Sequence, residues 1–334
     1  MVSGNLPNRF ATPLDHRLSG GRKKFWPVLL VIGLLILLIT LWPRHSASQQ
    51  AEVKNLSALA LPALPGQLLP LPEVIAKPAK AYLQTGSAIL VDGATGTVLY
   101  GENEEARLPI ASTTKLITAL IARERLDLDQ KVTVSKEATS IIGSDMNLRT
   151  GEVMTVRGLL AGLLITSGND AAYVLAETAA PSIPDFVALM NTKAAELGMK
   201  STTYADPAGL DDAGRSTAHD LAVVARAALQ DAIIAELVQT KQITIVSVDG
   251  QIRHDLSNSN RLVGEYNYLG AIGLKTGFTP EAGHCLVAGA ERDGHQLIAV
   301  ILHTDADTIT ASAIEARKLL DWGWTNVTWS EPVN

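Results

Sequence analysis

A single cysteine, Cys285, in a chain of 334 residues excludes an intrachain disulfide, so the fold must rest on an ordinary apolar core. The seven histidines are scattered, with no His-Glu-x-x-His run and no cysteine pair, which removes support for a metal site; no cofactor is implied either. Basic residues do not cluster beyond Arg22, Lys23 and Lys24, and the net charge is −6, which argues against a nucleic-acid partner. There is no Gly-x-Ser-x-Gly elbow and no internal repeat. With 47% hydrophobic and 19% charged residues, the length suits one large globular domain or two small ones.

Charge is also missing from Phe25 to Trp42, whose 18 residues would span roughly 27 Å as a helix. Three basic residues precede this run, Trp26 and Trp42 mark its ends, and only Arg44 follows closely, so positive-inside logic leaves residues 1–24 in the cytoplasm. The run reads as a transmembrane anchor that places the rest of the chain outside the membrane. Its alternative is a cleaved signal peptide, since Ser46, Ala47 and Ser48 are small enough for a cleavage site. Residues 43–84 read as a spacer, rich in Ala, Leu, Pro and Gln from Ala47 to Gln84; extended, those roughly 38 residues at ~3.1 Å each reach up to ~120 Å. A catalytic domain is expected over 85–326, with a short tail at 327–334.

Within it, Ser87–Val91 and Thr97–Tyr100 around Asp92 to Gly96 read as a hairpin. Lys131–Val134 is strand-like, and helical patterns run over 156–165, 171–179, 183–197 and 217–229, the last opened by Thr217 and Asp220 as a capping box. β signals return at Ile243–Val248, Tyr268–Phe278, His284–Ala290 and Gln296–His303, and a final helix is expected over Ala311–Trp322. The fold class is α+β: an antiparallel sheet of about five strands, flanked by helices, with an inserted helical subdomain.

Three short motifs carry chemistry. The periodicity of Leu116, Ile117, Leu120 and Ile121 predicts a helix from about Ser112, which puts Ser112 and Lys115 on one face as a nucleophile beside a base. Ser112 could instead only cap the helix. A capping box would carry Glu or Gln where Lys115 stands, and a cation near a helix start loses proton affinity, as a general base requires. Ser167, Gly168, Asn169 and Asp170 are common turn residues, yet an elbow between apolar helices can also aim a hydroxyl and an amide into a cleft. Lys275, Thr276 and Gly277 lie on a strand. Lys275 could be an edge lysine that discourages aggregation, but Gly277 leaves space for a ligand backbone beside a cation and a hydroxyl suited to a carboxylate.

Ser-x-x-Lys, Ser-x-Asn and Lys-Thr-Gly in this order, about 50 and 105 residues apart, resemble the penicillin-binding enzymes and serine β-lactamases. The runs 108–115, 162–172, 190–199 and 273–283 resemble more closely the low-molecular-weight D-alanyl-D-alanine carboxypeptidases, over about 87–324. That resemblance implies a DD-peptidase-like fold and an acyl-enzyme on Ser112, with Lys115 as base and Ser167 relaying a proton to the leaving amine. Asn169 would hold the substrate amide, and Lys275 and Thr276 the terminal carboxylate. The backbone amides of Ser112 and Phe278, beside Gly277, would form the oxyanion hole. Peptidoglycan stem peptides would be the substrates and β-lactams covalent inhibitors.

One departure from that family's pattern bears on the site. Many relatives carry an arginine some eight residues before the Leu319–Gly323 run, where this chain has Thr308, Thr310 and Ser312. A β-lactamase would need a Glu-x-x-x-Asn run between Asp170 and Lys275, and none is present. Catalysis by Cys285 with His284 fails because neighbouring strand residues face opposite ways. D,D-endopeptidase action on crosslinks and a non-catalytic wall-binding role stay open.

Overall fold

The computed structural model describes residues 71–330, apart from positions 77, 305, 306 and 308. The run Phe25–Trp42 lies outside the described residues. Among those described, no helix is long and apolar enough to cross a membrane.

Five strands form one antiparallel sheet: β1 (Ser87–Asp92), β2 (Val98–Glu102), β3 (Ala271–Thr279), β4 (Gly283–Arg292) and β5 (His295–Thr304), ordered β3-β4-β5-β1-β2. Their side chains divide by alternation between two cores. Ile89, Val91, Ile298, Val300 and Leu302 join one; Ala88, Leu90, Leu297, Ala299 and Ile301 join the other. A sheet covered on both faces needs apolar residues at consecutive positions, which explains the unbroken hydrophobic runs of β1 and β5.

The first core is closed by α1 (Lys115–Arg125), α2 (Val156–Leu164), α3 (Asn169–Ala179), α4 (Ile183–Glu196), α5 (Ala218–Gln230) and α6 (Ala232–Gln239). The second is closed by α7 (Ala311–Asn326), through Ala316, Leu319 and Leu320. α7 lies so close to the sheet that a side-chain carbon on Gly323 would come within 2.7 Å of Leu90 Cδ2 and Leu297 Cδ1, which is why glycine stands there.

Several elements differ from the sequence expectation. Gln242–Val246 stays out of the main sheet and pairs with Arg253–Ser257, whereas Lys131–Thr133 is the expected short strand, paired with Val153–Thr155. The strand expected from Tyr268 begins at Ala271, because Gly270 turns the chain at φ +78°. Thr217 caps α5 by accepting from Asp220 N at 3.0 Å, but the Asp220 carboxylate accepts from Ser201 N and Thr202 Oγ1, both at 2.8 Å, so only half of the capping box forms. Residues 71–84, spacer-like in composition, are fastened to the body. Leu71–Val74 pairs with Val327–Ser330, and Gln84 N donates to the Glu315 carboxylate at 3.0 Å.

Candidate active site

Ser112 sits in a single 3-10 turn, Ala111–Thr114, that leads directly into α1. Neither this turn nor α1 has a side-chain cap, so Ser112 does not serve as one. Its hydroxyl instead meets Lys115 Nζ at 2.8 Å. Lys115 is fully buried, and its amine has two more partners, Asn169 Oδ1 at 2.7 Å and the Ala208 carbonyl at 2.8 Å. Both of these oxygens can only accept. A neutral amine has two N–H donors and one lone pair, so the two oxygens take the donors and the lone pair is left for the Ser112 hydroxyl. Burial, and then the positive charge of Lys275, push the Lys115 amine well below the usual lysine range, against the opposing charges of Asp206 and Asp170. Both effects favour the unprotonated amine that a base for Ser112 has to be.

Each partner of that amine is held in turn. Asn169, the first residue of α3, donates its Nδ2 to Ile142 O at 2.8 Å, which aims its oxygen at Lys115. The buried Asp170 carboxylate accepts from Met146 N, Leu148 N at 3.0 Å and Ala171 N at 2.8 Å, so the 142–148 segment hangs from the start of α3. Asp206 accepts from Ala208 N at 2.7 Å and from Gly209 N and Asp211 N, both at 2.8 Å, folding the turn that presents the Ala208 carbonyl. Sequence reading missed Ile142, Asp206 and Ala208. Asp206, Pro207 and Gly209 mark a turn by composition, but no pattern says which carbonyl of a turn meets an amine.

Ser167 is nearly buried, with φ at +68°, and its hydroxyl bonds to none of the described residues. Ala111, just before Ser112, has φ at +46°. Left-handed backbone at non-glycine residues costs roughly 1–3 kcal/mol each, and here one such residue precedes Ser112 and the other is Ser167 itself.

The third motif reaches the same place from the sheet. A side-chain carbon on Gly277 would lie 3.0 Å from both Ser112 N and Ile110 O. The room at Gly277 is thus filled by the turn that carries Ser112, not by a ligand backbone as its position in the motif suggested. Gly277→Ala should push the Ser112 amide aside, slowing acylation of Ser112 about 10-fold and costing about 1–3 kcal/mol of stability. Stopped-flow acylation and thermal unfolding measure both effects; an unchanged acylation rate contradicts this packing.

Lys275 is fully buried, donates to Thr276 O at 3.1 Å, and is lowered by burial to about 7. Thr276 Oγ1 donates to Ser259 Oγ at 2.9 Å. Phe278 is exposed, and its ring stacks on His284 with centroids 4.5 Å apart. Cys285 is fully buried, its thiol pushed up to about 12 by burial, and it bonds to the Ala282 carbonyl. His284 and Cys285 do not form a catalytic pair. Ser312, where the family resemblance looks for an arginine, is buried in the first turn of α7.

A family model described as D-alanyl-D-alanine carboxypeptidase matches residues 74–306. The chain is 38% identical over 245 residues to a D-alanyl-D-alanine carboxypeptidase of Bacillus subtilis, a match covering 72% of this chain and 62% of that protein. It is 34% identical over 249 residues to a D-alanyl-D-alanine endopeptidase of Pseudomonas aeruginosa, covering 74% and 80%. Among solved structures, the DD-transpeptidase of a Streptomyces strain matches with a TM-score of 0.69 at 34% identity, covering 75% of this chain and 100% of that one.

Proposed function

The chain belongs to the D-alanyl-D-alanine carboxypeptidase family, and we propose that it removes the terminal D-alanine from peptidoglycan stem peptides through an acyl-enzyme on Ser112. The observation that carries this reading is the buried Lys115 amine, 2.8 Å from the Ser112 hydroxyl and held there by Asn169 Oδ1 and the Ala208 carbonyl. Ser112 Oγ attacks the carbonyl of the penultimate D-alanine while its proton passes to Lys115 Nζ. The backbone amides of Ser112 and Phe278 hold the oxyanion, and such donors contribute about 3 kcal/mol each. Ser167, whose hydroxyl is uncommitted, passes a proton to the leaving D-alanine amine. Water then attacks the acyl-enzyme and releases the shortened peptide.

A penicillin acylates the same serine, but its leaving group stays tethered. With no Glu-x-x-x-Asn run to activate water, that adduct should be long-lived. The run Phe25–Trp42 would hold the enzyme to the cell membrane by a single span, with the catalytic domain on its outer side. D,D-endopeptidase action on crosslinks is the second reading, favoured by the likeness to the Pseudomonas endopeptidase.

Incubation with a pentapeptide ending in D-Ala-D-Ala, and with a crosslinked dimer, separates the two, with products followed by mass spectrometry. Release of one D-alanine from the pentapeptide, faster than cleavage of the dimer, is the expected result. Faster dimer cleavage replaces it with the endopeptidase reading. No turnover and no penicillin adduct would leave only a wall-binding role.

A further inference from the structure

Acyl transfer from a D-Ala-D-Ala terminus needs a grip on the substrate's terminal carboxylate. Thr310 and Ser312 occupy positions where the family resemblance looks for an arginine. Arg261, on the turn beside β3, is engaged by Glu265. The hydroxyl that Thr276 meets belongs to Ser259, on a turn that the motifs did not single out.

That turn is built to be rigid. Asn258 Nδ2 donates to Val238 O at 3.0 Å and Thr240 O at 2.8 Å, fastening the turn to the end of α6. Asn258 Oδ1 accepts from Asn260 N at 2.8 Å, and Asn260 Oδ1 from Leu262 N at 3.0 Å. Ser259 N donates to Ile165 O at 2.8 Å, two residues before Ser167. Ser259 therefore stands between the elbow that carries the second motif and the strand that carries the third, and it is only partly buried.

Its hydroxyl is directional. Thr276 Oγ1 is the donor in their contact, so the Thr276 proton is spent on Ser259 and only its lone pairs remain. Ser259 Oγ accepts that bond and makes no other among the described residues, which leaves its own O–H free to donate. We infer that Ser259 is a further substrate-binding residue, whose hydroxyl donates to the terminal carboxylate of the substrate beside Lys275. This rests on the proposed acyl transfer at Ser112. It changes the order of the grip: Ser259 meets the anion, and Thr276 stands behind it, polarising the Ser259 hydroxyl.

The test uses the full chain and two probes: benzylpenicillin, whose carboxylate stands for that of the peptide, and its methyl ester, which lacks the charge. Ser259→Ala should slow acylation by the acid about 10-fold and leave the ester nearly unaffected, while Ser259→Thr restores the acid rate. Equal slowing of both probes would overturn the inference, because it would mean that Ser259 only positions the elbow through its amide. No slowing of either probe overturns it as well. Because both probes report acylation alone, failure to release D-alanine from any peptide would sink the substrate reading and leave this result legible.

Discussion

Replacing Lys115 by methionine should slow acylation of Ser112 by a labelled penicillin about a thousand-fold, the contribution expected of a well-placed general base. The change removes the amine that stands 2.8 Å from the Ser112 hydroxyl and is placed to take its proton. It strands two acceptors, Asn169 Oδ1 and the Ala208 carbonyl, at about 1–3 kcal/mol each, but it also relieves the burial of an amine. Stability should thus change far less than rate, and the variant should remain folded by circular dichroism. Lys115→Arg should not rescue the rate, because a guanidinium keeps its charge and offers no lone pair at neutral pH. A Lys115→Met rate within 10-fold of the natural protein would contradict the assignment.

The second large effect has the opposite sign for stability. Lys275→Met should make the protein more stable at pH 7 while slowing acylation by benzylpenicillin about 100-fold through loss of a charge partner. The Lys275 amine is lowered from 10.5 to about 7 by burial, with the Thr276 carbonyl as its hydrogen-bond acceptor. A folded-state value below the unfolded one means that folding sheds a proton. The resulting penalty is absent above about pH 10.5, grows as the pH falls, and is complete near pH 7. Its full size is about 5 kcal/mol; the stranded carbonyl returns part of this, leaving a net gain of about 3 kcal/mol for the variant. For a domain of this size that is roughly 5–10 °C in the unfolding midpoint at pH 7, shrinking towards pH 10. A variant less stable than the natural protein at pH 7 would show that Lys275 supports the fold and not only the ligand.

These effects bear on how the site was legible before the fold was known. Ser112 and Lys115 were readable because three residues is a helical neighbour distance, and the 3-10 turn preserves it. The three last sheet strands were readable too, since Asp293 and Gly294, both at positive φ, make the tight hairpin that their residue types demand. What escaped depends on partners far apart in the chain. The Arg253–Ser257 strand hides behind its charged positions, although His254 is buried, with Nδ1 2.7 Å from Met146 O and Nε2 2.6 Å from Glu152 Oε1. The proline-bearing strand Leu71–Val74 is ordered by Val327–Ser330, some 250 residues away, which no local composition reveals. Gly277 was read as a gap for ligand because a sequence does not show which backbone fills a gap.

Burial and the Lys275 charge together favour the unprotonated Lys115 amine that can take the Ser112 proton. The pH dependence of Ser112 acylation by a penicillin methyl ester tests this most directly, since the ester lacks the carboxylate that Lys275 would read. The rate should be level across neutral and mildly alkaline pH and fall only on the acid side. A rate that climbs steadily towards pH 10, as an ordinary lysine or an unassisted serine would give, contradicts the account.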